Sequence, residues 1–194
     1  MATAKKPDYP IIQFKTPKAF ETWLTKNHDL APGVWIQFAK KASGLKSVTY
    51  HEALDIALCH GWIDGLRRRF DEDTFVQKFT PRGPKSIWSK INKAKALALI
   101  EAKKMRAGGH AAIEVAKANG RWDTAYDGFK SSTIPPDLEA AFKKNPKARK
   151  FFETVSAQNR YAVLFRIQTA RKPELRKRRI EQFVAMLNEG RTLY

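Results

Sequence analysis

The chain has a single cysteine, Cys59, among 194 residues. One thiol cannot build an internal disulfide framework, which excludes the small stapled scaffolds typical of secretion and favours a reducing compartment. Long apolar runs are also missing: stretches such as Ala96 to Ile100 last about five residues, far short of the roughly 18–20 that a bilayer-spanning helix needs. Glycine and proline number only ten each, while hydrophobic residues make up 43%, so collagen, low complexity and disorder are excluded. The start of the chain, Met1 to Pro10, carries two lysines with no apolar segment behind them, so no secretory signal is expected and the cytoplasm is the expected compartment.

Acidic residues are scarce as well. There are 19 Asp and Glu against 37 Lys and Arg, a formal net charge of +18. Such an excess creates a field that attracts polyanions such as nucleic acid and keeps the chain soluble, without dictating a fold. The C-terminal third is the more densely basic, and a second basic run from Arg82 to Arg106 is opposed only by Glu101.

The familiar anchors of several enzyme classes are absent. No Walker A loop, no G-x-G-x-x-G, no G-x-S-x-G and no C-x-x-C occurs. His51-Glu52-Ala53-Leu54-Asp55 has Asp where a zinc-protease helix needs its second His, so no metal and no cofactor is expected. His51, Asp55 and Cys59 share a helix side, but His51 and Cys59 stand about 12 Å apart at 1.5 Å per residue, too far for a base and its nucleophile. Cys59 is therefore expected to be a small buried hydrophobe, and His60 a helix-end cap or a packed ring.

What is present predicts an α+β fold. Thr16 as N-cap, Pro17, and Phe20, Trp23 and Leu24 at helical spacing predict a helix over 16–28. Val34 to Ala39 reads as a strand, and Thr49 with Glu52 forms a capping box opening a helix that ends near Gly61. From Trp62 the period becomes two: Trp62 to Phe70 and Thr74 to Thr80 form a hairpin around Asp71-Glu72-Asp73, with Arg67 and Arg69 on one face. Ser86 to Arg106 is rich in helix formers, stopped by Gly108-Gly109, and a shorter helix runs from Ala111 to Ala118. Residues 123–136, with Pro135-Pro136, read as a linker. Four helical patterns follow, over 137–144, 147–155, 159–170 and 173–189. The expected architecture is a small three-stranded, mostly antiparallel sheet with helices in residues 1–130, followed by a small all-helical domain in 131–194.

One segment mixes aromatics, bases and hydroxyls: Trp62 and Asp64, then Arg82, Lys85, Ser86, Trp88 and Asn92. Ser86 is expected to cap the next helix, whose free N–H groups would face Arg82 and Lys85 as an anion site, with Trp88 as a stacking face or a core residue. These same stretches resemble the YdeI/OmpD-associated family, also called bacteriocin-protection proteins. The likeness rests on Ala57-Leu58-Cys59-His60-Gly61-Trp62-Ile63-Asp64-Gly65, on Phe79-Thr80-Pro81-Arg82 with Lys85-Ser86-Ile87-Trp88-Ser89-Lys90-Ile91-Asn92, and on Gly120-Arg121-Trp122. It continues through Pro136-Asp137-Leu138, Asn145-Pro146 and Ala170 to Ile180, nearly the whole chain. The resemblance implies an association with bacterial resistance to antimicrobial peptides and with an outer-membrane porin, and it supplies no catalytic residues.

Two functional expectations follow. The first is a non-enzymatic module for an anionic partner, most simply nucleic acid, using Arg82, Lys85 and Trp88 in front and Arg176, Arg178 and Arg179 in the last helix. The alternative is an enzyme on a small phosphorylated or carboxylated metabolite, with Asp64 as base and Arg82 or Lys85 as the anion clamp. Stable membrane insertion is not expected.

Overall fold

The computed structural model describes residues 9–194, so the reading of the first eight residues as lacking a secretory signal lies outside the described residues. The chain folds as α+β in two compact units. Among the described residues the first comprises 9–88 and 92–124, the second 89–91 and 125–194. The boundary expected near 131 falls inside the second unit.

In the first unit, β1 (Ile11–Ile12), α1 (Pro17–Asn27), β2 (Val34–Ala39), α2 (Tyr50–Cys59), β3 (Trp62–Arg69) and β4 (Thr74–Pro81) follow in order. Thr16 caps α1 by accepting from the Ala19 N–H, and the Thr49–Glu52 capping box opens α2 with both reciprocal bonds formed. The sheet has four strands, not three, in the order β1-β2-β4-β3. β1 pairs parallel with β2, Ile11 opposite Trp35, whereas the other pairings are antiparallel. A two-residue strand is too short to show a period, so its pairing is a tertiary event. One sheet face, with Val34, Ile36, Phe38 and Phe79, packs on Phe20 and Leu24 of α1 and Ala53 and Ala57 of α2. Burying the larger of these side chains contributes on the order of 2 kcal/mol each.

β3 does not keep strict alternation. Asp64 lies opposite Phe79 but Arg67 opposite Gln77, so one extra residue is inserted between them beside Gly65. The bulge inverts the phase. Arg67 and Arg69 therefore share the face of Asp64 and Trp62 rather than that of Ile63.

The helical run expected from Ser86 is shorter: α3 spans Lys90–Glu101, and Lys103 takes a left-handed φ of 56°. Gly108 and Gly109 do not stop a helix. They sit in the first turn of α4 (Ala107–Ala118), where the backbone of α2 comes close: a Cβ on Gly109 would fall 2.5 Å from the Cys59 carbonyl oxygen and one on Gly108 2.7 Å from that of His60.

The second unit contains α5 (Pro136–Lys143), α6 (Pro146–Thr154), α7 (Ala157–Gln168) and α8 (Pro173–Asn188). They enclose a core of Leu138, Phe142, Phe152, Leu164, Ile167, Phe183 and Leu187. It is helical except for an isolated parallel bridge between Ser89 and Tyr126. Residues 125–132, expected as linker, are packed: Tyr126 meets Phe165 edge-on at 4.9 Å, Phe129 meets Tyr161 at 5.3 Å, and Asp127 pairs with Lys90 at 2.7 Å. Aromatic residues among turn formers give that segment ring contacts with α7, although Phe129 itself stays half exposed. Among the described residues, no helix is long and apolar enough to cross a membrane.

Candidate functional site

α2 ends at His60, its C-cap, and Gly61 turns the chain with a φ of 75° into β3. A side chain at 61 would meet the Gly108 carbonyl oxygen at 2.4 Å, so glycine is required both by conformation and by the crossing of α4. The Gly61 carbonyl accepts from the Arg82 N–H at 2.9 Å, and Trp62 Nε1 donates to the His28 carbonyl at 3.2 Å. These contacts define a cavity of about 270 Å³ bounded by His28, His60, Trp62, Arg82, Trp88 and the Gly108–Val115 flank of α4.

His60 is its least ordinary member. The residue is 7% exposed, and its Nε2 has no hydrogen-bond partner among the described residues. A buried polar group left without a hydrogen bond costs about 1–3 kcal/mol. Burial first, then the charges of His28 and Arg106, push its pKa below the ordinary histidine value. The His28 ring lies edge-on at 5.5 Å, and its Nε2 is 3.1 Å from an Asp29 carboxylate oxygen. Cys59, beside it, is buried, and burial raises its thiol to about 11, which makes it an inert core residue.

The cavity brings together four of the residues singled out from sequence: Trp62, Arg82, Ser86 and Trp88. Trp88 is only 2% exposed, with the Arg82 guanidinium 3.6 Å over its ring and Trp122 edge-on at 4.9 Å. It is buried under those neighbours, so it packs rather than stacks a base. Ser86 closes a turn by donating its N–H to the Gly83 carbonyl, and the helix it was expected to cap starts at Lys90. Asp64, Lys85 and Asn92 do not border this cavity. Asp64 instead accepts from the Tyr50 hydroxyl and from Gln77 Nε2, both at 2.9 Å, and is committed to tying α2 to the sheet. Lys85 is exposed, and Asn92 lies in α3.

The C-terminal arginines separate into two groups. Arg176 forks onto Asp137 at 2.6 and 2.9 Å and donates to the Ile167 carbonyl, so it clamps α8 to α5 and α7. Arg179 donates to the Arg166 carbonyl. Of the three, Arg178 alone is exposed to solvent. Arg176 and Arg179 thus have partners within the fold, which sequence periodicity did not show: it tells which residues leave the apolar stripe but not which carbonyls wait across it.

The strongest basic feature of the sheet lies outside the residues that the sequence singled out as a site. β3 is an edge strand, and from Gly65 to Arg69 it is exposed. Arg67 lies 3.8 Å over the Phe75 ring and Arg68 4.9 Å over Trp35, and none of Arg67, Arg68 and Arg69 meets a carboxylate among the described residues. Three successive arginines on a period-two strand were the available signal. Among the described residues no group of three or more His, Cys, Asp or Glu is placed to hold a metal ion.

Residues 12–112 match the family model described as a domain of unknown function, DUF8412, and residues 131–190 match that of Bacteriocin-protection, YdeI or OmpD-Associated. The chain belongs to the DUF8412 family, with a YdeI/OmpD-associated region at its C-terminal end. The DUF8412 part contains His60, Arg82, Trp88 and the arginine strand, and the YdeI/OmpD-associated region contains Arg176, Arg178 and Arg179. The resemblance read from tryptophan-bearing motifs across nearly the whole chain thus holds for the C-terminal region, while those motifs themselves fall within or beyond the other match. No curated protein and no solved structure matches the chain.

Proposed function

We propose that this chain is a non-enzymatic, cytoplasmic binding protein for a polyanion, nucleic acid most simply, and that the docking surface is the β3 edge carrying Arg67, Arg68 and Arg69. The observation that carries the reading is that these three exposed guanidinium groups have no carboxylate partner among the described residues, in a chain of net charge +18. Stacking on Phe75 and Trp35 holds two of them in place, so less side-chain freedom is lost when a phosphate arrives. Lys40, just past the end of β2, adds a cation near the hairpin turn, where it donates to the Asp71 and Glu72 carbonyls. An enzymatic reading based on Asp64 loses support, because that carboxylate is engaged by Tyr50 and Gln77 away from the cavity. A protein this basic does not attract cationic antimicrobial peptides by charge, so any protective effect of the YdeI/OmpD-associated region would act indirectly.

The test is titration into labelled single-stranded DNA, duplex DNA and RNA at about 50 and 200 mM salt, across which phosphate-driven affinity falls steeply. The expected result is sub-micromolar binding of one polymer that survives the higher salt and is lost in R67A/R68A/R69A. Equal binding by the triple variant overturns the assignment.

A further inference from the structure

Two large apolar side chains flank the arginines of β3. Leu66 is 55% exposed and Phe70 48%, and they stand two residues before and two residues after Arg68, alternating with Arg67 and Arg69. Phe70 is the one exposed aromatic side chain of the first unit among the described residues, and its ring meets no other ring there. A single exposed hydrophobe is ordinary on a protein surface. Here two of them bracket three cations that meet no carboxylate among the described residues, which makes one surface both apolar and basic.

That combination discriminates among polyanions. A duplex turns its phosphates outward and keeps its base faces stacked inside, so it would satisfy the arginines and leave Leu66 and Phe70 against a charged backbone. A single strand offers phosphates and unstacked base faces side by side, and an aromatic ring or a guanidinium plane can cover a base face whatever its identity. Arg67 and Arg68, already held over the Phe75 and Trp35 rings, add flat surfaces of that kind. An anionic bilayer fits less well. Past Phe70 the chain turns through Asp71, Glu72 and Asp73, all exposed, and sinking Phe70 among headgroups would press these acidic residues against charge of their own sign.

Taking the β3 edge as the polyanion surface, we infer that its ligand is single-stranded nucleic acid, with phosphates along Arg67, Arg68 and Arg69, a base stacked on the exposed Phe70 ring and its neighbour packed against Leu66. The acidic turn sets one end of the site, because phosphates are repelled beyond Arg69 while an uncharged base is not. Stacking tolerates every base, so the site reads strandedness and not sequence.

The test compares three labelled probes at about 100 mM salt: a deoxythymidine oligonucleotide of about 16 nucleotides, an abasic strand of equal length and a duplex of equal length. The abasic strand keeps its phosphates and lacks bases. The oligonucleotide is expected to bind about ten-fold more tightly than the abasic strand, the gain of about one stacked base. L66A/F70A is expected to keep the wild-type melting temperature and salt slope, since it removes no cation, and to bind the oligonucleotide no better than the abasic strand. F70W, which keeps a ring at the position, is expected to bind the oligonucleotide at least as tightly as wild type. Equal affinity for the two strands, tighter binding of the duplex, unchanged binding in L66A/F70A, or F70W as weak as L66A/F70A would each overturn the inference and leave the polyanion reading standing. No binding of any probe, or binding untouched in R67A/R68A/R69A, would overturn both. Phosphatidylserine vesicles bound more tightly than the oligonucleotide, or a concentration-dependent dimer abolished in L66A/F70A, would give the surface to a membrane or to a second copy of the chain and would overturn the inference as well.

Discussion

An alanine at position 109 would bring its Cβ to 2.2 Å from Met105 Sδ, 2.5 Å from the Cys59 carbonyl oxygen and 2.8 Å from that of Leu58. The methionine can swing aside, but two backbone oxygens of α2 cannot, so α4 must retreat. In an unhindered helix interior the same change gains about 1 kcal/mol from propensity. Here Gly109→Ala is expected to cost about 3 kcal/mol in urea denaturation, the upper range of overpacking. Gly83→Ala is the control: a methyl group there has nothing within 4 Å, and stability is expected to change little. Adjacent glycines look like a helix stop because sequence displays the breaker and not the backbone crossing it. His60 gives a second test at this scale. Its pKa is depressed in the folded protein below the ordinary value of 6.5 by burial, with His28 and Arg106 adding to the effect and Glu21 opposing it. Between the folded and unfolded values, only the unfolded chain takes up the proton, so stability is complete above pH 6.5 and is lost as pH falls toward the folded value. The melting temperature is expected to drop as pH falls below the ordinary histidine value of 6.5, and the drop should flatten in His60→Gln. A flat wild-type profile would show that His60 is not held neutral by burial.

At the scale of elements, what local periodicity could express was legible and what depended on a distant partner was not. The capped helices α1 and α2, strand β2, the hairpin and α5 to α8 were readable because caps, prolines and apolar spacing are local. β1 is too short to have a period, the β3 bulge depends on how Gly65 meets β4, and Tyr126 and Phe129 were hidden among turn formers. The candidate site was half legible for the same reason: Trp62, Arg82, Ser86 and Trp88 lie close in sequence to the turn they line, whereas His28 and the α4 flank come from elsewhere in the chain. The clamp from Arg176 to Asp137 belongs here too, since it joins α8 to α5. Its hydrogen bonds, discounted for a half-exposed Asp137, lead us to expect a loss of about 1–2 kcal/mol in Arg176→Ala, against less than about 0.5 kcal/mol in the exposed Arg178→Ala. The Arg176 hydrogen bond holds the Asp137 carboxyl below its ordinary value of 3.8, so the stabilisation is present above that pH and fades as acid protonates the folded state. Thermal melts of the two variants at pH 7 check the difference; equal effects would mean that the fork contributes nothing beyond surface charge.

At the scale of the whole molecule the question is whether a net charge of +18 acts as a diffuse field or through a defined surface, and salt dependence distinguishes the two. Binding to duplex DNA weakens with salt at a log–log slope of about −0.9 per phosphate neutralised, so each dedicated cation removed lowers the slope by roughly one. If Arg67, Arg68 and Arg69 each neutralise a phosphate, R67A/R68A/R69A should reduce the magnitude of the slope by about three. If the field is diffuse, the triple variant removes only three of 37 cations and the slope should hardly change. Lys85 and Arg178, exposed residues that sequence alone would have favoured, make a matched comparison, because replacing them alters net charge without touching the β3 edge. A slope reduced by the strand variant and preserved in K85A/R178A would place the polyanion on the sheet edge, whereas equal small losses in both would leave the charge with a steering role and no docking surface.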